Sequence, residues 1–292
     1  MLKFLWNSNN YNIGEKDQFW GNYHKINSST WIKNILKETE YKQIENLDDI
    51  ELNDKLIIVD SYIHNKKNFY SKLSSVCENI FLFHLGDEMF HVPNITNEIY
   101  QNCKFIWRTF CNNLFFDNSK IKCIAVGYKS GIENKKVYEN RKIKWSFTGT
   151  SHKSSRHDLL FNLKEIKPNF IHQTKKFGDN SSLDAEKLSE VFCNTNFIPC
   201  PNGFFHPETY RLYEALECGC IPIVEDSYKY YDRLFPNNPF IKIKKWNDAK
   251  EVILNWSEDK INKKRDECKN WWSDYQNKLQ NDIKKKIEHE KF

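Results

Sequence analysis

Residues 197–226, FIPCPNGFFHPETYRLYEALECGCIPIVED, constrain the fold of this chain more than any other stretch. An apolar strand is followed by a Pro/Gly/Phe loop, a helix, a glycine stop at Gly219 and a β-branched strand, Ile221 to Val224. Proline is tolerated in a first helical turn because its missing N–H has no intrahelical partner there, so the pattern predicts a helix opening at Pro207. Gly219 ends it, and Pro222 stands where a helix cannot continue. Leu212, Ala215 and Leu216 fall at helical spacing and are expected to face a sheet, while Arg211, Glu214 and Cys218 share the neighbouring stripe. A helix N-terminus at the carboxyl end of a strand offers free N–H groups to a phosphate, and Arg211 can add a charge-assisted bond. The same residues also admit a plain reading. Glu208 suits a first turn without any ligand, and Arg211 with Glu214 at i, i+3 can be a solvated ion pair.

ETYRLYEALECGCIPIV resembles the donor-binding helix and strand of GT-B glycosyltransferases, above all the exostosin-like family, in which R-x-x-E-A-L-x-x-G-C-I-P recurs. Arg211, Glu214, Ala215, Leu216, Gly219, Cys220, Ile221 and Pro222 match that pattern. WSFTGTSHKSSR and FLFHLGDE are similar to segments of exostosin-like and ribitol-xylosyltransferase-like enzymes. The resemblance implies a nucleotide-sugar donor, with Glu214 on the ribose hydroxyls and Arg211 with the helix start on the diphosphate. It places Pro207, Glu208, Thr209 and Tyr210 at the same site, and Gly149 and Arg156 at a second diphosphate contact. One departure matters: retaining GT-B enzymes space two glutamates eight positions apart, whereas Glu208 and Glu214 are six apart. Inverting chemistry is the expectation.

Elsewhere, buried apolar runs alternate with helical patterns. Lys55 to Val59, Ile80 to Leu85, Lys104 to Trp107 and Ile121 to Val126 read as strands of a doubly wound parallel sheet. Ligands bind at the carboxyl ends of such strands, where Asp60, His84, Asp87, Glu88, Arg108, Asn112 and Asn113 fall. Asp87, Glu88 and His84 form the candidate acid/base cluster, with Asp87 as the expected general base; Asp60 and Arg108 are expected on the acceptor side. A satisfied structural cap is the competing reading for the acids. A polar loop to about Ser28 is expected to precede a helix capped by Ser29 or Thr30. The polar stretch 127–140 suggests a domain boundary, giving an N-terminal Rossmann-like domain over 1–130, a nucleotide-sugar domain over 141–265 and a helix over 266–292 that crosses back, anchored by Trp271 and Trp272. Ile283, Ile287 and their lysines read as a solvated face. At 292 residues the length suits two Rossmann-like units, and 39% hydrophobic and 15% aromatic residues are enough for two cores.

Charge excludes some classes. The net +5 is spread over 44 basic and 39 acidic side chains, with no block of the kind that grips nucleic acid. No apolar run approaches the roughly 20 residues of a membrane span. Nine cysteines, an odd number without a C-x-x-C pair, read as reduced thiols of a cytoplasmic protein, microbial or virus-encoded. No Asp-x-Asp pair stands ready to hold a metal against a diphosphate, and no Walker loop, G-x-G-x-x-G, zinc spacing or nucleophile elbow is present. The expected function is a metal-independent, inverting glycosyltransferase without a bound cofactor, using a nucleotide sugar as co-substrate. The resemblance to xylosyltransferases implies a UDP-sugar, specifically UDP-xylose, and a glycan or glycoprotein acceptor. A non-catalytic sugar-nucleotide or glycan binder, and an epimerase or hydrolase on the same fold, stay open; the sequence names no oligomeric state.

Overall fold

The structure, a computed structural model, describes residues 1–7, 15–90, 92–132, 140–176, 178–226 and 228–289. The chain forms two compact units, Met1–Val126 with Asn277–Phe292 and Gly127–Gln276. Within the polar stretch 127–140, residues 133–139 lie outside the described residues, as do residues 8–14 of the expected N-terminal loop.

The first unit runs β1 (Leu2–Trp6), α1 (Glu15–Ile35), β2 (Lys42–Ile44), β3 (Lys55–Ser61), α2 (Lys67–Val76), β4 (Asn79–Leu85), α3 (Pro93–Gln101), β5 (Phe105–Arg108), α4 (Asn113–Phe116) and β6 (Ile121–Cys123). The strands lie in the order β2-β1-β3-β4-β5-β6. β3 and β4 are buried on both faces after their first residue, which is why they read as unbroken apolar runs. Leu56, Ile58, Leu82 and Ile106 centre one core. α1 starts about fourteen residues before the expected Ser29 cap. Two polar side chains, one from the expected loop and one the expected cap, serve the helix instead of breaking it: Asn27 Nδ2 donates to Tyr23 O at 2.8 Å and Ser29 Oγ donates to Ile26 O at 3.4 Å.

The second unit contains β7 (Ile143–Thr150), α5 (Arg156–Leu163), β8 (Asn169–Thr174), α6 (Ala185–Cys193), β9 (Thr195–Cys200), α7 (Tyr210–Glu217), β10 (Ile221–Glu225), α8 (Tyr230–Leu234), β11 (Ile241–Ile243), α9 (Ala249–Asn255) and the start of α10 (Glu258–His289). Its order is β11-β10-β9-β7-β8. Among the described residues every strand pairing is parallel, so both units are doubly wound α/β sheets. The strand order reverses between β1 and β3 in one sheet and between β7 and β9 in the other, and each reversal opens a crevice at the carboxyl edge.

Three expectations are corrected. Trp271 and Trp272 pack in the second unit: Trp271 lies against Phe235 and Phe240, and Trp272 donates its indole N–H to Glu217 Oε2 at 2.8 Å. Ile283 and Ile287 are buried rather than solvated, because with Leu279 they form an i, i+4, i+8 stripe on the part of α10 that belongs to the first unit. Cys111 and Cys123 form a disulfide, their Cα atoms 5.8 Å apart. Cys123 stands opposite Arg108 in the β5–β6 register, and Cys111 follows just beyond the end of β5. The seven remaining cysteines are buried free thiols. Reading the environment as cytosolic rested on reduced thiols, and the disulfide removes that ground.

Candidate functional site

At the reversal point of the second sheet the chain supplies β7, the loop after β9, and α7. Thr209, extended at φ −143° and ψ 155°, is the N-cap, so the helix begins at Tyr210 and not at Pro207. Pro207 and Glu208 belong to a loop with bonds of its own. His206 Nδ1 accepts the Glu208 N–H at 3.1 Å, Gly203 N–H donates to His206 O at 2.8 Å, and the Tyr231 hydroxyl donates to Pro207 O at 2.9 Å. The stop at Gly219 is as expected. Gly219 takes φ 65°, its N–H bonds to Leu216 O at 3.0 Å and that of Cys220 to Ala215 O at 2.8 Å, a Schellman closure.

Leu212, Tyr213, Ala215 and Leu216 are buried as α7 packs on β9 and β10, and Arg211 reaches across to β7. The Arg211 guanidinium lies over the Phe147 ring at 4.8 Å and donates through Nη2 to Thr148 O. Nη2 is 3.0 Å from where a Cβ on residue 149 would sit, and Gly149 holds φ 121°, so only glycine fits beneath this guanidinium. Its remaining donors, Nε and Nη1, are buried and make no hydrogen bond. Glu214 is not on the solvent side: it is 4% exposed, and its Oε1 has no partner either. Burial raises its pKa, opposed by the charges of Lys129 and then Arg211. Asn202 Oδ1, in the loop after β9, is a third buried group without a bond. Unmade hydrogen bonds in a folded interior cost about 1–3 kcal/mol each, so these three groups by the reversal point make it the candidate ligand site.

Other expected donor residues are differently placed. Arg156 opens α5 but turns back on the β7 turn, donating from Nη1 to Thr150 O at 3.1 Å and Thr150 Oγ1 at 2.8 Å. Glu208 is 1% exposed and both its oxygens are taken, Oε1 by the Tyr213 hydroxyl and Oε2 by that of Tyr230 at 2.8 Å; it holds the loop and is not open to a donor. Thr209 and Tyr210 are half-buried at the helix start. Lys129 and Asn202 escaped the sequence reading. Asn202 could have been found from the strand order, since it follows the β9 end that borders the reversal; Lys129 carries no local signal.

The acid/base cluster of the first unit proves to be an interior in which each buried carboxylate is paired, with His84 Nε2 and Arg108 Nε the buried atoms that make no hydrogen bond. Asp87, at φ 54° after Gly86 at φ 77°, is fully buried, and Arg108 Nη2 donates to its Oδ2 and to its carbonyl, each at 3.1 Å. Arg108 is also fully buried; it reaches His84 Nδ1 at 2.6 Å and the Tyr100 hydroxyl at 2.7 Å and lies between the Phe90 and Phe115 rings at 5.3 and 4.6 Å. Burial, then the Arg108 charge, pushes the His84 pKa well below its ordinary value, so the ring is neutral. Asp60 accepts from Asn7 Nδ2 at 2.7 Å and the Tyr70 hydroxyl at 2.8 Å and pairs with buried Lys66. The expectation that Asp87 emerges at the edge as a base is therefore corrected, and Asp60, His84 and Arg108 offer nothing outward. Glu88, half-buried beside them, is the accessible carboxylate of this cluster.

Two doubly wound α/β units, the second with a buried, incompletely bonded Arg/Glu helix at its reversal point, define the class: a Rossmann-like α/β protein. The chain belongs to the RXYLT1 C-terminal domain family, which it matches over residues 128–292. It is similar to ribitol-5-phosphate xylosyltransferase 1 of Danio rerio, 23% identical over 182 residues, covering 55% of this chain and 41% of that protein. The chain thus spans about two fifths of the length of that curated relative. A solved alpha1,3-fucosyltransferase is similar over 99% of this chain and 91% of its own, with 12% identity and a TM-score of 0.49. Among the described residues no helix is long and apolar enough to cross a membrane.

Proposed function

We propose that this chain is an inverting, metal-independent GT-B glycosyltransferase that moves a sugar from a UDP-sugar, specifically UDP-xylose, to a hydroxyl of a glycan. The observation that carries the reading is the pairing of unmade bonds in the second unit: a buried carboxylate oxygen on Glu214 that accepts, and buried N–H groups on Arg211 that donate. A nucleoside diphosphate satisfies both. Its ribose hydroxyls donate to Glu214, and its diphosphate accepts from Arg211 Nε and Nη1 and from the first N–H groups of α7. The name of the Danio rerio relative, a ribitol-5-phosphate xylosyltransferase, supports xylose as the sugar and a ribitol-5-phosphate unit in the acceptor.

In the reaction the acceptor oxygen attacks the anomeric carbon as the bond to the diphosphate breaks, and a general base takes the acceptor proton. Negative charge grows on the departing diphosphate, where fixed donors stabilise it most; Arg211 acts there, and Arg156 joins it by leaving Thr150. One observation favours a second reading, a non-catalytic sugar-nucleotide binder: Asp87, Asp60 and His84 of the first-unit cluster are held in internal contacts with Arg108 and Lys66. Titration with UDP, GDP and ADP followed by UDP-xylose turnover in EDTA separates the readings. The proposal expects UDP to bind and turnover to survive EDTA. UDP binding without donor turnover would favour the binder, and activity restored only by Mn²⁺ would overturn the metal-free mechanism.

A further inference from the structure

The loop between β9 and α7 carries two adjacent phenyl rings into solvent. Phe204 and Phe205 are 59% and 57% exposed, their centroids 4.3 Å apart and their planes at 82°. Flexibility does not account for this exposure, because the loop is fastened on several sides. Gly203 N–H bonds to His206 O, Glu208 N–H to His206 Nδ1, and the Tyr213 and Tyr230 hydroxyls to Glu208. The His206 and Tyr230 rings meet edge to face at 5.0 Å. A fastened loop that leaves two adjacent apolar rings more than half exposed presents a patch of the kind found at interaction surfaces.

We infer that Phe204 and Phe205 form a stacking corner for a sugar ring of the acceptor glycan, an inference that deepens the proposed function and rests on it for the word acceptor. Two perpendicular rings suit a puckered sugar, which lays its C–H face on one ring and its edge on the other; a planar nucleobase would use only one. The Lys153 ammonium stands 5.3 Å from the Phe204 centroid, so that ring also has a cation at hand for an anionic substituent. Asn202 Oδ1, two residues earlier, is a buried acceptor lacking a donor, which a sugar hydroxyl supplies. Exposure separates the acceptor from the donor: Glu214 is deeply buried, whereas these rings are more than half exposed, where a ligand runs on into solvent as a glycan chain does.

The test is binding of the full chain to a glycan array, with the parent, Phe204→Ala/Phe205→Ala and Phe204→Trp/Phe205→Trp proteins compared alongside UDP titration by thermal shift. The parent is expected to retain at least one glycan, the alanine pair to bind it about tenfold more weakly, and the tryptophan pair to keep it. UDP affinity is expected to stay within about twofold throughout, since these rings lie outside the nucleotide's contacts. Equal glycan binding by parent and alanine pair, or no binding by the parent, overturns the corner. An equal loss of UDP affinity in the alanine pair also overturns it, by making the rings a nucleobase platform. Because the array needs no turnover, aromatic-dependent glycan binding without sugar transfer would sink the proposed reaction and leave the corner standing.

Discussion

The carboxyl edges of the two sheets share a strand order and differ in how their polar groups end. On the first, Asp87 meets Arg108, Asp60 meets Lys66, and Arg108 donates to His84, all of them buried. On the second, Arg211 keeps two buried N–H groups, Glu214 one carboxylate oxygen and Asn202 one carbonyl oxygen without a bond. Charge at the end of a buried strand is therefore not the mark of a ligand site. Arg108 Nε and His84 Nε2 also lack a bond on the first edge, so what separates the two is the carboxylate: Asp87 and Asp60 are paired, whereas Glu214 keeps a buried oxygen without a hydrogen bond.

The largest effect expected from this contrast is on stability. Asp87→Ala strands the Arg108 guanidinium in the core, and breaking one side of a buried pair costs about 3–5 kcal/mol. Urea unfolding measures it, and a loss below about 1 kcal/mol would break the contrast by showing that the pair is not structural.

On the second edge the corresponding loss is in rate. Arg211→Ala is expected to lower turnover by about 10² to 10³, with Lys rescuing only in part because it keeps the charge without the fork of donors. Arg156→Ala is expected to lose less, since Thr150 already engages that guanidinium. Full activity in Arg211→Ala would place the diphosphate elsewhere.

The disulfide closes the loop that follows Arg108, so it belongs to the first edge. Reducing it is expected to cost about 2–4 kcal/mol. Thiol titration of the denatured chain checks the premise: seven reactive thiols without reductant, nine with it.

The smallest effect is also the most discriminating, because its sign is opposite to that of Asp87→Ala. Glu214→Gln removes a buried carboxylate whose Oε1 lacks a hydrogen bond, so stability is expected to rise by about 1–3 kcal/mol while UDP affinity falls by a comparable amount. The gain depends on pH. Burial raises the Glu214 pKa in the folded state above its ordinary 4.5, so the folded protein holds the proton more tightly than the unfolded chain does. That contribution is complete below about pH 4.5 and is lost as pH rises through the raised value, so the advantage of the Glu214→Gln variant grows over that window. A stability curve parallel to the parent's across it would mean that Glu214 is bonded after all.

Much of the architecture was legible in the sequence. LIIV at 56–59 and IFLFHL at 80–85 announce strands buried on both faces, and Gly219 with Pro222 announces a helix end, because propensity and steric exclusion act over a few residues. Arg211 and Glu214 were identifiable as neighbours on one helix face for the same reason. The start of that helix was not. Pro207 is a proper first-turn residue by local rules, but Tyr231, twenty-four positions on, takes its carbonyl and His206 takes the next N–H. Nor was the fate of Asp87, decided by an arginine twenty-one residues away on the neighbouring strand. The choice between site and structure at each carboxyl edge depends on whether a polar group finds its partner. Those partners come together only when distant strands pair, so the sequence by itself set the strands, the helix face and its charges, and the tertiary structure alone decided which of those charges were left for a ligand.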